Sequence, residues 1–95
     1  MNIKWTRASV RQLPAAHAYI AADSLDAADR VLSTIEMSVE QLLQYPNSGR
    51  EGRVKGTREL VIVNTPYVVA YRLKSKSILQ ILAVLHGKRR WPEQL

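Results

Sequence analysis

The chain contains no cysteine. That excludes a disulfide framework, a thiolate zinc site and a cysteine nucleophile, and it agrees with a reducing cytoplasm as the expected location. Long hydrophobic runs are also missing. The longest, ILAVL at 81–85, is far too short to cross a bilayer, and the opening MNIKWTRASV lacks the apolar core of a signal peptide. The expectation is a soluble intracellular protein with no membrane partner. Acidic residues are scarce in one half only: residues 47–95 carry three against ten lysines and arginines, whereas residues 1–46 carry five against four. A cationic C-terminal half favours an acidic partner, either a nucleic-acid backbone or an acidic protein segment, because clustered cations attract polyanions. Repeats and low-complexity tracts are absent too. With 95 residues, 46% of them hydrophobic and 23% charged, the composition is that of one folded domain spanning 1–95, with room for a single active site or interface.

The apolar pattern changes period along the chain. NIKWT at 2–6 alternates Ile3 and Trp5 with polar residues and reads as a short strand suited to a sheet edge. From Ala8 to Ala22, Val10, Leu13, Ala16 and Ile20 recur at helical spacing, and Pro14 either kinks this helix or lies in its first turn. Between 23 and 46, Ala28, Leu32, Ile35, Val39 and Leu42 form one stripe on a second helix. Ser24 is its expected cap, Asp26 sits at the positive end of its dipole, and Pro46 stops it. The short join predicts an antiparallel helical hairpin. PNSGREGRVKG at 46–56 holds three of the four glycines and reads as a loop. TRELVIV at 57–63, PYVVAYRL at 66–73 and SILQILAV at 77–84 are rich in β-branched residues and joined by hairpin-length linkers. They predict an antiparallel meander covered on one face by the helices, an α+β fold.

Several positions invite chemistry. His86 follows a strand and precedes Lys88, Arg89 and Arg90; near those cations its neutral form suits a general base, while the cations hold a phosphate. It also reads as a partly buried strand-end residue. Arg72 shares a face with Val68 and Ala70, opposite Tyr71, as a groove residue or a solvated rim cation. Arg58 and Glu59 face opposite sides of a strand, and Glu59 is expected to neutralise Arg58, Arg72 or a tail cation as part of the fold. Arg50, Arg53 and Lys55 lie on a glycine-bearing loop that lacks the spacing and GK[ST] ending of a P-loop, so a basic surface loop is expected. His17 has no second histidine or carboxylate at metal-ligand spacing, which argues against a metal. Trp5 and Trp91 are expected to anchor the first strand and the tail.

In order along the chain, LLQYPNSGREGRVKGTREL at 42–60, YVVAYR at 67–72 and ILAVLHGKRRWP at 81–92 make the sequence resemble the RelE/ParE superfamily of bacterial type II toxin–antitoxin modules. The resemblance covers nearly the whole chain. It implies a β-α-α-β-β-β toxin of the bacterial cytoplasm, of the kind associated with growth arrest and plasmid stabilisation, needing no cofactor or metal. Its implied partner is a cognate antitoxin with a DNA-binding N-terminal domain and an acidic, flexible segment that wraps the toxin. RelE-like members of the superfamily are ribosome-dependent mRNA endonucleases, whereas ParE-like members poison DNA gyrase.

The residues can be set against the nuclease pattern one by one. The arginine expected after the tyrosine of the third strand falls at Val68, behind Tyr67, and the paired sheet lysines fall among the apolar residues of LVIV. Arg89 keeps the C-terminal arginine, but Leu95 stands where a tyrosine is expected. These departures favour a ParE-like gyrase inhibitor over an enzyme. Arg58, Arg72, His86, Lys88, Arg89, Arg90 and Trp91 are then its target- or antitoxin-binding residues. The alternative is a ribosome-dependent mRNA endonuclease using Arg72, His86, Lys88 and Arg89; a third reading is an inactive toxin that serves only as an antitoxin-binding co-repressor.

Overall fold

A computed structural model describes residues 1–87. The elements are β1 (Asn2–Trp5), α1 (Arg7–Ala21), α2 (Leu25–Gln41), β2 (Arg50–Glu51), β3 (Arg58–Val61), β4 (Tyr67–Leu73) and β5 (Ile78–His86). Both helices start on side-chain caps: Thr6 accepts from the Ser9 amide and Ser24 from the Ala27 amide, each satisfying a donor that the first turn would leave open. Asp26 lies in the first turn of α2, as its position in the sequence implied. The second helix ends at Gln41, short of Pro46, and Leu42 to Gln44 continue as turn.

Two details of α1 differ from the sequence pattern. Pro14 lies well inside the helix, not in its first turn. Both Pro14 and Val10, whose carbonyl loses its donor, are exposed, so water can serve that carbonyl and the cost of an interior proline is reduced. Val10 itself points outward while Ser9 is completely buried. The remainder of the expected stripe, Leu13, Ala16 and Ile20, packs on the core with Ile35, Val39 and Leu42 of the second helix and its following turn.

The sheet has five strands in the order β1-β5-β4-β3-β2. The meander is antiparallel, and β1 is an edge strand that joins β5 in parallel, Asn2 opposite Ile78 and Trp5 opposite Ile81. The glycine-bearing segment is not all loop: Arg50 and Glu51 pair with Glu59 and Arg58 and close the other edge. One face carries Tyr67, Val69, Tyr71, Leu79, Ile81 and Val84 into the helices. On β5 Leu82 is an extra residue, because Ala70 pairs with Ala83 and Tyr71 with Ile81, a bulge that shifts the alternation by one. The second face carries Val68, Ala70 and Arg72 from β4, and Ala70, Leu82 and Ala83 form a small cluster of their own there.

Four-residue β1 cannot pair along all of nine-residue β5. Helix α1 continues the edge with side chains. Thr6 Oγ1 donates to the Leu82 carbonyl (3.1 Å), Ser9 Oγ to the Ile81 carbonyl (3.1 Å), and Gln12 Oε1 accepts from the Val84 amide (2.8 Å). Positions 6, 9 and 12 share one helix face, and burial of Ser9 follows from that role.

Candidate functional site

The basic loop is held by three side chains of the sheet. Tyr71, completely buried, donates its hydroxyl to the Pro46 carbonyl (2.8 Å) and accepts from the Gly49 amide (2.9 Å). A Cβ at position 49 would stand 2.7 Å from the Tyr71 ring and hydroxyl, so only glycine admits this contact. Arg58 donates from Nη1 to the Gly49 carbonyl (2.8 Å) and the Asn47 carbonyl (3.3 Å). Glu59, 2% exposed, accepts from Arg50 Nη2 (3.0 Å) and the Arg53 amide (3.0 Å), with Arg53 Nε at 3.9 Å. The structural role expected for Glu59 stands, with Arg50 and Arg53 as partners instead of Arg58 or Arg72, while the tail cations lie outside the described residues. Glu59 faces away from Arg58, and the strand pairing of Arg50 directly opposite brings that cation to it.

Arg72 lies exposed on the face opposite the helices, its Nε donating to Gln80 Oε1 (2.8 Å). His86 ends β5 on the helix side, half-buried, with its ring edge-on to Tyr67 at 5.6 Å between centroids and 75° between planes. Together with Gln12 and Tyr19 of α1, these two rings line a shallow groove. Arg72 and His86 are thus on opposite faces of the sheet. They are also at opposite ends of β4, since Tyr67 pairs with His86 and Arg72 with Gln80, about 17 Å apart along the strand. The structure does not bring them together, and Arg58 is committed to loop carbonyls. Lys88, Arg89, Arg90 and Trp91, with Leu95, lie outside the described residues.

One cation was not legible as part of any site. The parallel register of β1 on β5 sets Lys4 opposite Gln80, so Lys4, Gln80 and Arg72 form one cross-strand row. Local pattern assigns Lys4 to a strand but not to a neighbour, and nothing in the sequence near it signals the pairing. His17 bonds across the hairpin to Asp29, 2.7 Å from Nε2 to Oδ1, a contact between helices. No group of three metal-ligating side chains occurs among the described residues. Trp5 packs against the core as an anchor of β1.

Residues 3–91 match the model of the ParE toxin family of type II toxin–antitoxin systems. A protein of Sinorhizobium fredii (strain NBRC 101917 / NGR234) named "Putative toxin Y4kP" is 44% identical over 94 residues, covering 99% of this chain and 96% of that protein. Among solved structures, a chain of the chromosomal ParDE toxin–antitoxin system from P. aeruginosa superposes with a TM-score of 0.78 at 28% identity, over 90% of this chain and 95% of that one. The YoeB/ParE toxin from Agrobacterium tumefaciens, at 15% identity, a TM-score of 0.64 and coverage of 90% and 98%, shares the fold.

Proposed function

The chain belongs to the ParE family of type II toxin–antitoxin toxins, and from that membership we propose that it arrests bacterial growth by poisoning DNA gyrase. A cognate antitoxin neutralises it. The observation that carries the choice of gyrase over messenger RNA is the separation of Arg72 from His86 on opposite faces and opposite ends of β4. Phosphodiester cleavage by a general base needs that base and the phosphate-holding cations within hydrogen-bond reach of one substrate. The positions where the RelE-type pattern has cations hold apolar side chains here, Val68 and the LVIV residues at 60–63. An inhibitor that acts by binding has no need of such a cluster.

Antitoxin recognition is supported by a cationic half combined with exposed apolar side chains. Val61 and Val63 lie at the β3 edge beyond the reach of two-residue β2, while Tyr19, Met37 and Tyr45 stand out from the helical layer and the turn after it. An acidic, amphipathic segment suits that combination. The decisive assay is plasmid supercoiling by purified gyrase with increasing amounts of the toxin. Supercoiling should fall and protein-linked cleaved DNA accumulate, while messenger RNA on translating ribosomes stays intact. Undiminished supercoiling at a molar excess of toxin, with codon-phased messenger cleavage, would sink this reading.

A further inference from the structure

Folding converts a charge asymmetry along the chain into one across the molecule. All five acids of residues 1–46 lie on α2 or in the turn before it, Asp23, Asp26, Asp29, Glu36 and Glu40, hence on the helical side of the sheet. The opposite face takes its cations from both ends of the chain. Alternation from the strand registers places Asn2 and Lys4 of β1, Ile78 and Gln80 of β5, and Arg72 of β4 on that face, with Lys74 beside Arg72 at the β4 end and Lys76 in the adjoining turn. Lys4, Arg72, Lys74 and Lys76 are all exposed. Among the described residues, the one acid the strands turn to this face is Glu59, which is buried and bonded to Arg50 and Arg53. Its charge is therefore already neutralised.

We propose that this corner of the sheet, centred on the Lys4–Gln80–Arg72 row, binds the phosphate backbone of duplex DNA. Adjacent strands lie about 4.8 Å apart, so Lys4 and Arg72 flank Gln80 about 10 Å from one another, and two residues along β4 set Lys74 about 7 Å from Arg72. Four cations so distributed can meet successive phosphates while Gln80 holds the Arg72 guanidinium at Nε. The composition separates a nucleic-acid surface from a protein-binding one. Besides the cations the corner offers Asn2, Gln80, Ser75 and Ser77, and its one large apolar residue, Ile78, is half-buried. Protein–protein interfaces are depleted in lysine and enriched in aromatics at their centres, whereas DNA interfaces are polar and strongly cationic. Most exposed apolar side chains lie elsewhere, at the β3 edge, in the basic loop and on the helical layer; Met1 adjoins the corner, and Leu73, between Arg72 and Lys74, is turned by strand alternation to the other face.

The inference deepens the gyrase reading, because DNA is part of that target, but its test contains no gyrase. Binding of the full chain to a short labelled duplex is measured by anisotropy across a salt series, for two unrelated base sequences. Wild type should bind both sequences alike, with an affinity that falls steeply with salt. The Lys4→Gln/Arg72→Gln double variant should bind more weakly and with a log–log salt slope shallower by about 2, one for each phosphate no longer neutralised. Arg11→Gln/Arg30→Gln removes the same net charge from exposed positions on the helices and should retain the wild-type slope. Unchanged thermal midpoints exclude misfolding for either pair. Equal weakening in both double variants would reduce the effect to net charge and overturn the proposal. So would binding to an acidic peptide, but not to the duplex, that Lys4→Gln/Arg72→Gln abolishes. DNA binding with gyrase unaffected would overturn the gyrase reading alone.

Discussion

Tyr71 is fully buried, yet its hydroxyl is satisfied on both sides, donating to Pro46 and accepting from Gly49. Removing that one oxygen leaves a buried amide and a carbonyl without their partner, and the expected loss is roughly 1–3 kcal/mol. Tyr71→Phe should therefore lower the urea midpoint with an unchanged m-value, because the aromatic packing is kept. An unshifted midpoint would mean that Arg58 and Glu59 hold the loop without it. The tyrosine was visible in YVVAYR as a residue facing away from Arg72, but its partners are 22 and 25 positions earlier in the chain. Glu59 is the same kind of case. Its scarcity in a basic half pointed to a structural ion pair, while the choice of Arg50 and Arg53 depended on β2 pairing with β3.

At the scale of elements, the joint between α1 and β5 is where pattern and structure part. A strand four residues long lies beside one of nine, and Thr6, Ser9 and Gln12 supply the hydrogen bonds that a longer β1 would have made. Periodicity selected Val10 for the core because it is apolar, whereas the helix turns Ser9 inward, where its hydroxyl joins the Thr6 amide on the Ile81 carbonyl beside the β5 bulge. Gln12→Ala should free the Val84 amide, costing about 1–2 kcal/mol. Native-state hydrogen exchange should then show faster exchange at Val84 than at amides in the β4–β5 ladder. Uniform acceleration across the sheet would instead mean that the substitution acts on global stability and not on this edge.

For the whole molecule, β5 is the organising element: it pairs with β1 on one side and β4 on the other and carries α1 on its inner face. Its partners come from opposite ends of the chain, so the sheet cannot close until the last strand is in place. A chain ending at Lys76 should show no cooperative thermal transition by circular dichroism, although the hairpin residues are all present. A sharp transition in that truncation would mean that the helices and β3–β4 form an independent core. The same topology brings Lys4 from the start of the chain into one row with Gln80 and Arg72, on the face of the sheet opposite the acids of α2.

Sequence alone determined the helices with their Ser24 cap and Asp26, the three strands of the meander, and the cationic bias of the second half, because caps, periodicity and net charge are local or additive properties. It also carried the family likeness and the departures at Val68 and in LVIV that set this chain apart from the nuclease pattern. Only the tertiary structure decided that β1 runs parallel to β5, that part of the glycine-bearing segment is a strand, and that Glu59 is paired with Arg50 and Arg53. It likewise decided that Arg72 and His86 are apart. Each of these depends on which distant segments become neighbours and in what register, and a shift of a single residue in pairing would turn every side chain of a strand to the other face.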